Sequence, residues 1–210
     1  MYDLEEQEQI DALKRFWREY GRLIIAAALA FAVSVAGIHG WQYYNRSQAQ
    51  AASVLFSRLE EAQRRNDLSE IRKVGAQLLE EYARTAYGPM AALILAKVNY
   101  EHGERQAAAA QLQWAIDRAR DGNTAALARL RLAGIRLDEK KYEDALKLLD
   151  AKVSAPFVAL YADLRGDVLR AQGKTAEARA QYRQALEKME GDSPWRNLVQ
   201  VKLDALGPGL

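Results

Sequence analysis

The sequence predicts an all-α protein: one transmembrane helix near the N-terminus, then a solenoid of about four helical pairs and a C-terminal capping helix. Three observations support this fold class. Helix-forming Ala, Leu, Arg, Glu and Gln dominate the 210 residues, of which only 4 are proline. Residues 23–45 contain no charged side chain. After Arg46, apolar residues recur with a helical period that Gly, Asn, Asp or Pro interrupts at regular intervals.

Residues 1–22 predict a short cytoplasmic segment. Its apolar side chains recur at helical spacing and its charged residues lie on the other face. The apolar residues are Ile10, Leu13, Phe16, Trp17 and Tyr20. An interfacial helix that leads into the membrane and a docking segment for a cytoplasmic partner both fit this pattern. A segment of this length cannot build a hydrophobic core of its own.

Residues 23–45 predict the transmembrane helix. The most apolar part, residues 23–41, is nineteen residues long, and a hydrocarbon core about 30 Å thick requires about 20 apolar residues. Aromatic rings favour the headgroup level of a membrane. They flank both ends of the run, as Trp17 and Tyr20 before it and as Trp41, Tyr43 and Tyr44 after it.

The basic residues predict the orientation of this helix. Lys14, Arg15, Arg18 and Arg22 precede the apolar run, whereas only Arg46 follows it closely. The positive-inside rule therefore predicts a cytoplasmic N-terminus, with residues 46–210 on the other side of the membrane. In a bacterium that compartment is the periplasm.

Two other interpretations of the apolar run exist. One is a cleaved signal peptide, for which residues 49–51 offer an A-x-A match. The length of the run and the six acidic residues among residues 1–22 argue against it. The other is a buried core helix, which an alanine-rich apolar run can resemble.

Residues 46–210 predict a helical-repeat domain, and the clearest unit covers residues 162–186. Gly166 allows a close approach to the neighbouring helix, and Gly173 ends the first helix of the pair. Ala178 is the small residue where the two helices cross, Tyr182 fills the core, and Ala185 closes the unit. This pattern resembles that of a tetratricopeptide repeat.

Two earlier units repeat the pattern. Ala133 and Ala145 lie 33 residues before Gly166 and Ala178. A further 37 residues back lie Ala96 and Ala108, and Gly103 ends the helix between them. The extra residues of the longer spacing predict a loop near residues 121–124.

The two ends of the domain depart from the pattern. The first pair, at residues 48–84, has core residues but few signature positions. The last helix is predicted to begin with Ser193 as N-cap and Pro194 at the first helical position. A polar outer face is expected there, because a terminal helix caps the solenoid.

A stack of helical pairs predicts a concave binding surface. Each pair is too small to bury its own apolar stripe, so neighbours stack, and the first helices of the pairs line a surface that receives an extended peptide or a helix. The candidate binding residues are Asn99, Glu101, Arg129, Arg136, Arg165 and Arg170. For each of them, an ordinary solvated surface position is the alternative.

Composition argues against several other functions. The net charge is only +2 and the basic residues are scattered, which does not favour nucleic-acid binding. The absence of cysteine excludes disulfides and thiolate chemistry. The sequence contains no phosphate-binding loop, no nucleophile elbow and no histidine with a partner at ligand spacing. We therefore expect no catalytic residue, no metal site and no cofactor.

Nearly the whole chain resembles the YfgM family, the ancillary subunits of the SecYEG translocon. The matching segments are LKRFWREYG at 13–21, WQYYN at 41–45, TAYGPMAALILA at 85–96, AAAQLQWAI at 108–116 and ADLRGDVLRAQGKTAEAR at 162–179. The resemblance implies an inner-membrane protein with a periplasmic repeat domain. The expected partners are the SecYEG translocon, the membrane-bound periplasmic chaperone PpiD, and translocating or unfolded envelope proteins.

Three functional hypotheses follow. The leading one is a non-catalytic binding module that is anchored at the secretion channel and passes translocated proteins to periplasmic chaperones. The second is a scaffold for another envelope machine, such as cell-wall synthesis or outer-membrane assembly. The third is a regulator of an envelope stress response through the cytoplasmic tail, a role that the resemblance also implies.

Overall fold

The structure, a computed structural model, describes residues 2–189, 191 and 193–207, except the side chains of residues 2–8, 27 and 28. The described chain forms nine α-helices and no strand. Their bounds are α1 Tyr2–Arg64, α2 Leu68–Glu81, α3 Tyr87–Glu101, α4 Arg105–Arg118, α5 Gly122–Asp138, α6 Tyr142–Leu149, α7 Ala155–Ala171, α8 Thr175–Lys188 and α9 Arg196–Asp204. Contacts divide the chain into two units, Met1–Gln48 and Ala49–Leu210.

The first unit contains the apolar run. In length and composition, α1 is sufficient to cross a membrane. No part of its most apolar stretch is buried within the protein, and Phe31 and Val33 are 72% and 71% exposed. A core helix of a soluble protein would be buried, so that interpretation does not fit. Within the helix, the Ser34 hydroxyl donates to the Ala30 carbonyl at 2.8 Å, which satisfies this polar group as a lipid environment requires.

The second unit is a stack of helical pairs. The pairs are the end of α1 with α2, α3 with α4, α5 with α6, and α7 with α8, and α9 follows them. Each helix buries its apolar stripe partly against the other helix of its pair and partly against the next pair. An example is the shared cluster of Leu93, Leu112 and Leu132, from α3, α4 and α5. This architecture confirms the predicted fold class.

All four hairpins turn in the same way. The linker between the two helices of each pair has three residues, and the second of them has a positive φ. These residues are Asn66 (55°), Gly103 (81°), Lys140 (60°) and Gly173 (79°). In each turn the next residue donates its N–H to the carbonyl five residues earlier, at 2.8 or 2.9 Å. This left-handed C-terminal cap satisfies carbonyls that the helix end leaves unpaired. The turn is therefore repeated even where the glycine is absent.

The helices of the last full pair approach closely at Gly166. A Cβ at this position would lie 2.5 Å from the ring of Tyr182, which is fully buried. The positions that correspond to Gly166 and Tyr182 in the α5–α6 pair are Ala133 and Leu149, 33 residues earlier, and both are buried. In these two pairs the smallest residue, glycine, corresponds to the larger side chain, tyrosine, and alanine corresponds to the smaller leucine.

The structure corrects two expectations about boundaries. Residues 121–124 do not form a loop, because Asp121 is the N-cap of α5 and its carboxylate accepts the N–H of Thr124 at 2.8 Å. The unequal spacing instead arises from α6, which has 8 residues where α4 and α8 have 14. The last helix begins at Arg196 rather than after Ser193, and the N–H of Arg196 closes a turn on the Ser193 carbonyl at 3.0 Å.

The last helix exposes a polar face that includes Asn197, Gln200 and Asp204. Three large apolar side chains at this end of the chain are exposed as well: Trp195, Leu198 and Val201, at 59%, 46% and 64%.

Candidate protein-binding groove

A groove of about 490 Å³ lies along the first helices of three successive pairs, α3, α5 and α7. We call this the A-helix groove. Most of its lining is apolar, with a few polar groups at its edge. Its residues are Ala96, Lys97, Tyr100, Leu112, Arg131, Gly134, Ile135, Leu137, Asp138 and Leu164.

The repeat places these residues together. Lys97 and Gly134 are 37 residues apart, as are Tyr100 and Leu137, so each couple occupies one repeat position on successive helices. Within α5, positions 131, 134, 135 and 138 follow helical spacing and therefore share one face. The groove is therefore formed by equivalent faces of the first helices of adjacent repeat units.

The floor of the A-helix groove is apolar and rigid. Ala96, Leu112 and Ile135 are 2%, 2% and 4% exposed, and all three belong to the same core cluster. Gly134 lies beside them, and a Cβ built there would meet nothing within 4 Å. The missing side chain therefore leaves space that a ligand side chain can occupy.

Tyr100 and Asp138 join the two walls of the groove. The Tyr100 hydroxyl on α3 donates to Asp138 Oδ2 on α5 at 2.5 Å. This hydrogen bond, together with partial burial, raises the pKa of Tyr100, so the phenol remains a neutral donor. The ring is still 40% exposed, so it offers an aromatic surface to a bound segment.

Two cations lie at the groove and are partly engaged. Lys97 faces Glu101 at 3.8 Å on the exposed surface of α3. Arg131 donates to the Leu93 carbonyl at 3.2 Å, and burial lowers its pKa, although an arginine stays protonated. Asp138 supplies the opposite charge. With both signs present, the groove has no strong preference for an acidic or a basic ligand.

The chemistry of the A-helix groove is that of binding. An apolar floor, an exposed aromatic ring and a few polar groups at the edge can hold the side chains of an extended or helical segment of another protein. The described lining residues include no nucleophile beside a general base, so they do not form the arrangement that acyl or phosphoryl transfer requires.

Three of the candidate binding residues make polar contacts within the stack. Asn99 is only 6% exposed and donates to Gln111 Oε1 at 2.9 Å, which links α3 to α4. Arg165 donates to the Leu149 carbonyl at 2.7 Å and so caps the end of α6. Arg136 pairs with Glu139 at 2.8 Å.

The Arg136 pair extends to Lys141, whose ammonium lies 2.9 Å from Glu139. Hydrogen bonds from Lys141 and Arg136 lower the pKa of Glu139. This group of charges closes the hairpin between α5 and α6.

The other three candidates are more accessible. Glu101 and Arg170 are exposed and Arg129 is half-buried, but none of them lines the A-helix groove. The six candidates are polar or charged residues of the first helices, whereas apolar and aromatic residues form most of the groove, and of these only Ala96 was singled out in the sequence, as a repeat position. The signal that could have identified them is the 37-residue register, which aligns Lys97 with Gly134 and Tyr100 with Leu137.

The signature positions of the repeats lie at the places where the helices meet or end. The alanines and Tyr182 are buried between helices, and Gly166 is buried against Tyr182. Gly103 and Gly173 take the left-handed turn positions. The buried positions are Ala96, Ala108, Ala133, Ala145, Ala178, Tyr182 and Ala185.

Comparison with known proteins gives consistent matches. Residues 14–208 match the family model of the tetratricopeptide repeat-like domain. The chain is 37% identical over 204 residues to the ancillary SecYEG translocon subunit of Neisseria gonorrhoeae, covering 97% of this chain and 98% of that protein. It is 31% identical over 207 residues to the Escherichia coli protein of that name, with 96% of each covered. The Haemophilus influenzae protein of that name is 28% identical over 208 residues.

Proposed function

We propose a function from one premise: the chain belongs to the family of ancillary SecYEG translocon subunits and carries a tetratricopeptide repeat-like domain. Its function is non-catalytic protein binding at the SecYEG translocon. The A-helix groove is the observation that carries this proposal, because its apolar floor and exposed Tyr100 ring offer a surface for a segment of another protein.

The proposed topology is that of a single-pass protein of the bacterial inner membrane. Residues 1–22 are cytoplasmic, residues 23–45 span the bilayer, and residues 46–210 form the periplasmic repeat domain. The four basic residues before the apolar run support this orientation. The lack of buried residues in its most apolar stretch supports the membrane span. Single cysteines at position 12 and position 184 would test it, since the chain has no native cysteine. Labelling of position 12 from the periplasm would contradict it.

The proposed ligands are translocating or unfolded envelope proteins. Anchoring confines the repeat domain to the membrane, which raises its effective concentration near the channel exit, so weak contacts in the groove suffice for transient clients. The chain would then pass these clients to periplasmic chaperones, among them the membrane-bound PpiD.

A photo-crosslinking residue at Gly134 tests the proposal in living cells that express the full chain. Gly134 faces open space, so the probe fits without disturbing the core. The matched control is Gln184, which is exposed on α8, the second helix of its pair. We expect adducts with SecY, with secreted proteins in transit and with PpiD from position 134 but not from position 184.

The same experiment distinguishes the other two hypotheses. If position 134 captures only proteins of cell-wall synthesis or outer-membrane assembly, the chain is a scaffold for those machines and the proposal is wrong. Deletion of residues 2–12 tests the regulatory hypothesis, because a tail-borne regulator would lose its effect on the envelope stress response.

A further inference from the structure

Gly134 is a glycine that the packing of the repeat domain does not require. It lies in the middle of α5, where glycine is less favourable than alanine. In α2, a Cβ at Gly75 would lie 2.7 Å from the side chain of Leu95. In α7, a Cβ at Gly166 would lie 2.5 Å from the ring of Tyr182. At Gly134 a Cβ would meet nothing within 4 Å, so the absence of a side chain there has a reason other than packing within the stack.

Two hydrogen bonds between α3 and α5 frame the space at Gly134. Arg131 donates to the Leu93 carbonyl at 3.2 Å. The Tyr100 hydroxyl donates to Asp138 at 2.5 Å. The two bonds are seven residues apart on each helix, so about 10 Å separates them along the helix axes. Gly134 lies between them on α5, and we call the framed space the Gly134 recess.

The residue opposite Gly134 on α3 is small as well. Ala96 lies within the same framed stretch of α3 and lines the A-helix groove together with Gly134. Leu112 and Ile135 complete the floor, and both are almost fully buried in the core cluster that includes Ala96. The recess therefore has an apolar floor and a polar bridge at each end.

The recess has room for one side chain. An α-helix with its side chains is about 10–12 Å across. That is as wide as the recess is long, and the hydrogen bonds at both ends prevent a helix from entering it. A single side chain that projects from a segment lying over the groove can enter.

The two ends of the recess favour an aromatic ring. The Tyr100 ring is 40% exposed, and aromatic rings pack favourably edge-to-face or offset against one another. Among the described side chains, no carboxylate pairs with the Arg131 guanidinium at the other end, and burial alone lowers its pKa. A guanidinium attracts the electron-rich face of an aromatic ring, an attraction that an aliphatic side chain lacks.

Charge complementarity favours an uncharged occupant. A carboxylate would be attracted to Arg131 but would lose water against the apolar floor and face the like charge of Asp138. An ammonium group would lose water in the same way and face the like charge of Arg131. A neutral ring avoids both costs.

We infer that the Gly134 recess is the anchor site for one aromatic side chain of an uncharged segment of a partner protein. The inference rests on the proposed binding function of the A-helix groove and names the kind of segment that the groove selects. Because one ring carries the selection, proteins of otherwise unrelated sequence can share the site.

Disulfide tethering at the edge of the recess tests the inference in the full chain. The native sequence has no cysteine, so Lys97→Cys introduces a single thiol at a residue that lines the groove. Gln184→Cys, at an exposed position of α8, is the matched control. Each variant, purified in detergent, is equilibrated in excess 2-mercaptoethanol with disulfide probes, the cystamine amides of N-acetyl phenylalanine, leucine, alanine and glutamate. Intact-mass spectrometry gives the fraction of chain that carries each probe, which reports how strongly its side chain binds beside the thiol.

We expect selective capture at position 97. The phenylalanine probe should exceed the alanine probe roughly tenfold, because the recess removes the ring from water. It should exceed the leucine probe roughly threefold, because Tyr100 and Arg131 favour a ring. At position 184 the four probes should be captured equally.

Two further variants, each combined with Lys97→Cys, locate the selectivity. Gly134→Leu should abolish the excess of phenylalanine, because the new side chain fills the recess. Its thermal unfolding midpoint should not fall, since leucine favours a helix and the Cβ meets nothing within 4 Å, which separates loss of binding from loss of folding. Arg131→Gln removes the charge and keeps an N–H donor. It should lower the ratio of phenylalanine to leucine roughly twofold and leave leucine preferred over alanine.

Four results would overturn the inference. Equal capture of the four probes at position 97 would mean that no side chain enters the recess. An excess of leucine over phenylalanine would mean that the recess selects an aliphatic side chain. An excess of glutamate would mean that Arg131 binds a carboxylate. An excess of phenylalanine that persists in Gly134→Leu would mean that the ring binds outside the recess.

Tethering and the in-cell crosslinking test different claims. A photo-crosslinking residue at position 134 occupies the recess itself, so its adducts identify the proteins that reach the groove and not the side chain that the recess selects. Adducts with SecY and secreted proteins but no selective tethering would contradict this inference alone. Selective tethering without those adducts would contradict the proposed function alone.

Discussion

Gly166 and Gly134 are both helix-interior glycines, and replacement of each by alanine should have opposite effects on stability. In a helix interior, Gly→Ala gains about 1 kcal/mol from backbone propensity. At Gly134 the new Cβ meets nothing within 4 Å, so this gain should appear in full. At Gly166 the Cβ would lie 2.5, 2.6 and 3.0 Å from three ring atoms of Tyr182. Because the ring is fully buried, it cannot move aside without disturbing its neighbours.

The clash should outweigh the propensity gain. Overpacking of a well-packed core costs about 1–3 kcal/mol, and three contacts this short favour the upper end of that range. We therefore expect Gly166→Ala to lower the free energy of unfolding by about 2 kcal/mol and Gly134→Ala to raise it by about 1 kcal/mol. Urea unfolding of the detergent-solubilised full chain, followed by circular dichroism, measures both.

A double-mutant cycle identifies the cause. Gly166→Ala combined with Tyr182→Leu recreates the Ala133–Leu149 match of the preceding pair. When Tyr182→Leu is already present, Gly166→Ala should be favourable, which gives a coupling free energy of about 3 kcal/mol. If Gly166→Ala is as stabilising as Gly134→Ala, or if its cost is the same with and without Tyr182→Leu, the size-matching argument is wrong.

Three further predictions concern other parts of the repeat domain. Lys140→Gly should raise the free energy of unfolding by about 1 kcal/mol in urea unfolding, because Lys140 holds a φ of 60° that glycine adopts without strain. Lys202→Met should lower it by about 2 kcal/mol, because the half-buried carboxylates of Asp163 and Asp167 would lose the ammonium between them, and only the Tyr182 hydroxyl would still donate to Asp167. Glu139 has a lowered pKa in the folded state, so its stabilisation is present above pH 4.5 and is lost as pH falls through the folded pKa; Glu139→Gln should remove this part of the acid dependence of unfolding.

The repeat architecture could be predicted because its determinants are local. Gly166 marks a close approach of α7 to Tyr182 of α8, and Gly173 marks a left-handed turn, so a glycine at one position of the sequence signals each feature. The same turn at Lys140 has no glycine to mark it. There, regular spacing from the neighbouring units identifies the hairpin when local composition does not.

The lining of the A-helix groove could not be predicted from charge. Asn99 and Arg165 lie on the first helices, as expected of groove residues, but their polar groups bond within the stack. Gly134 has no side chain, and yet it forms part of the groove because its neighbours leave that space open. Whether a helix face is covered depends on packing between pairs, which the sequence of one pair does not contain.

The junction between α7 and α9 differs in kind from the junctions before it. Leu93 and Leu130 join successive first helices through apolar contact, whereas at the corresponding position Asp163 binds the ammonium of Lys202. Burial raises the pKa of Asp163, and the hydrogen bond and charge of Lys202 oppose this effect. The ion pair between Asp163 and Lys202 stabilises α9 at this junction, whereas an apolar helix at the same place would leave the carboxylate without a cation.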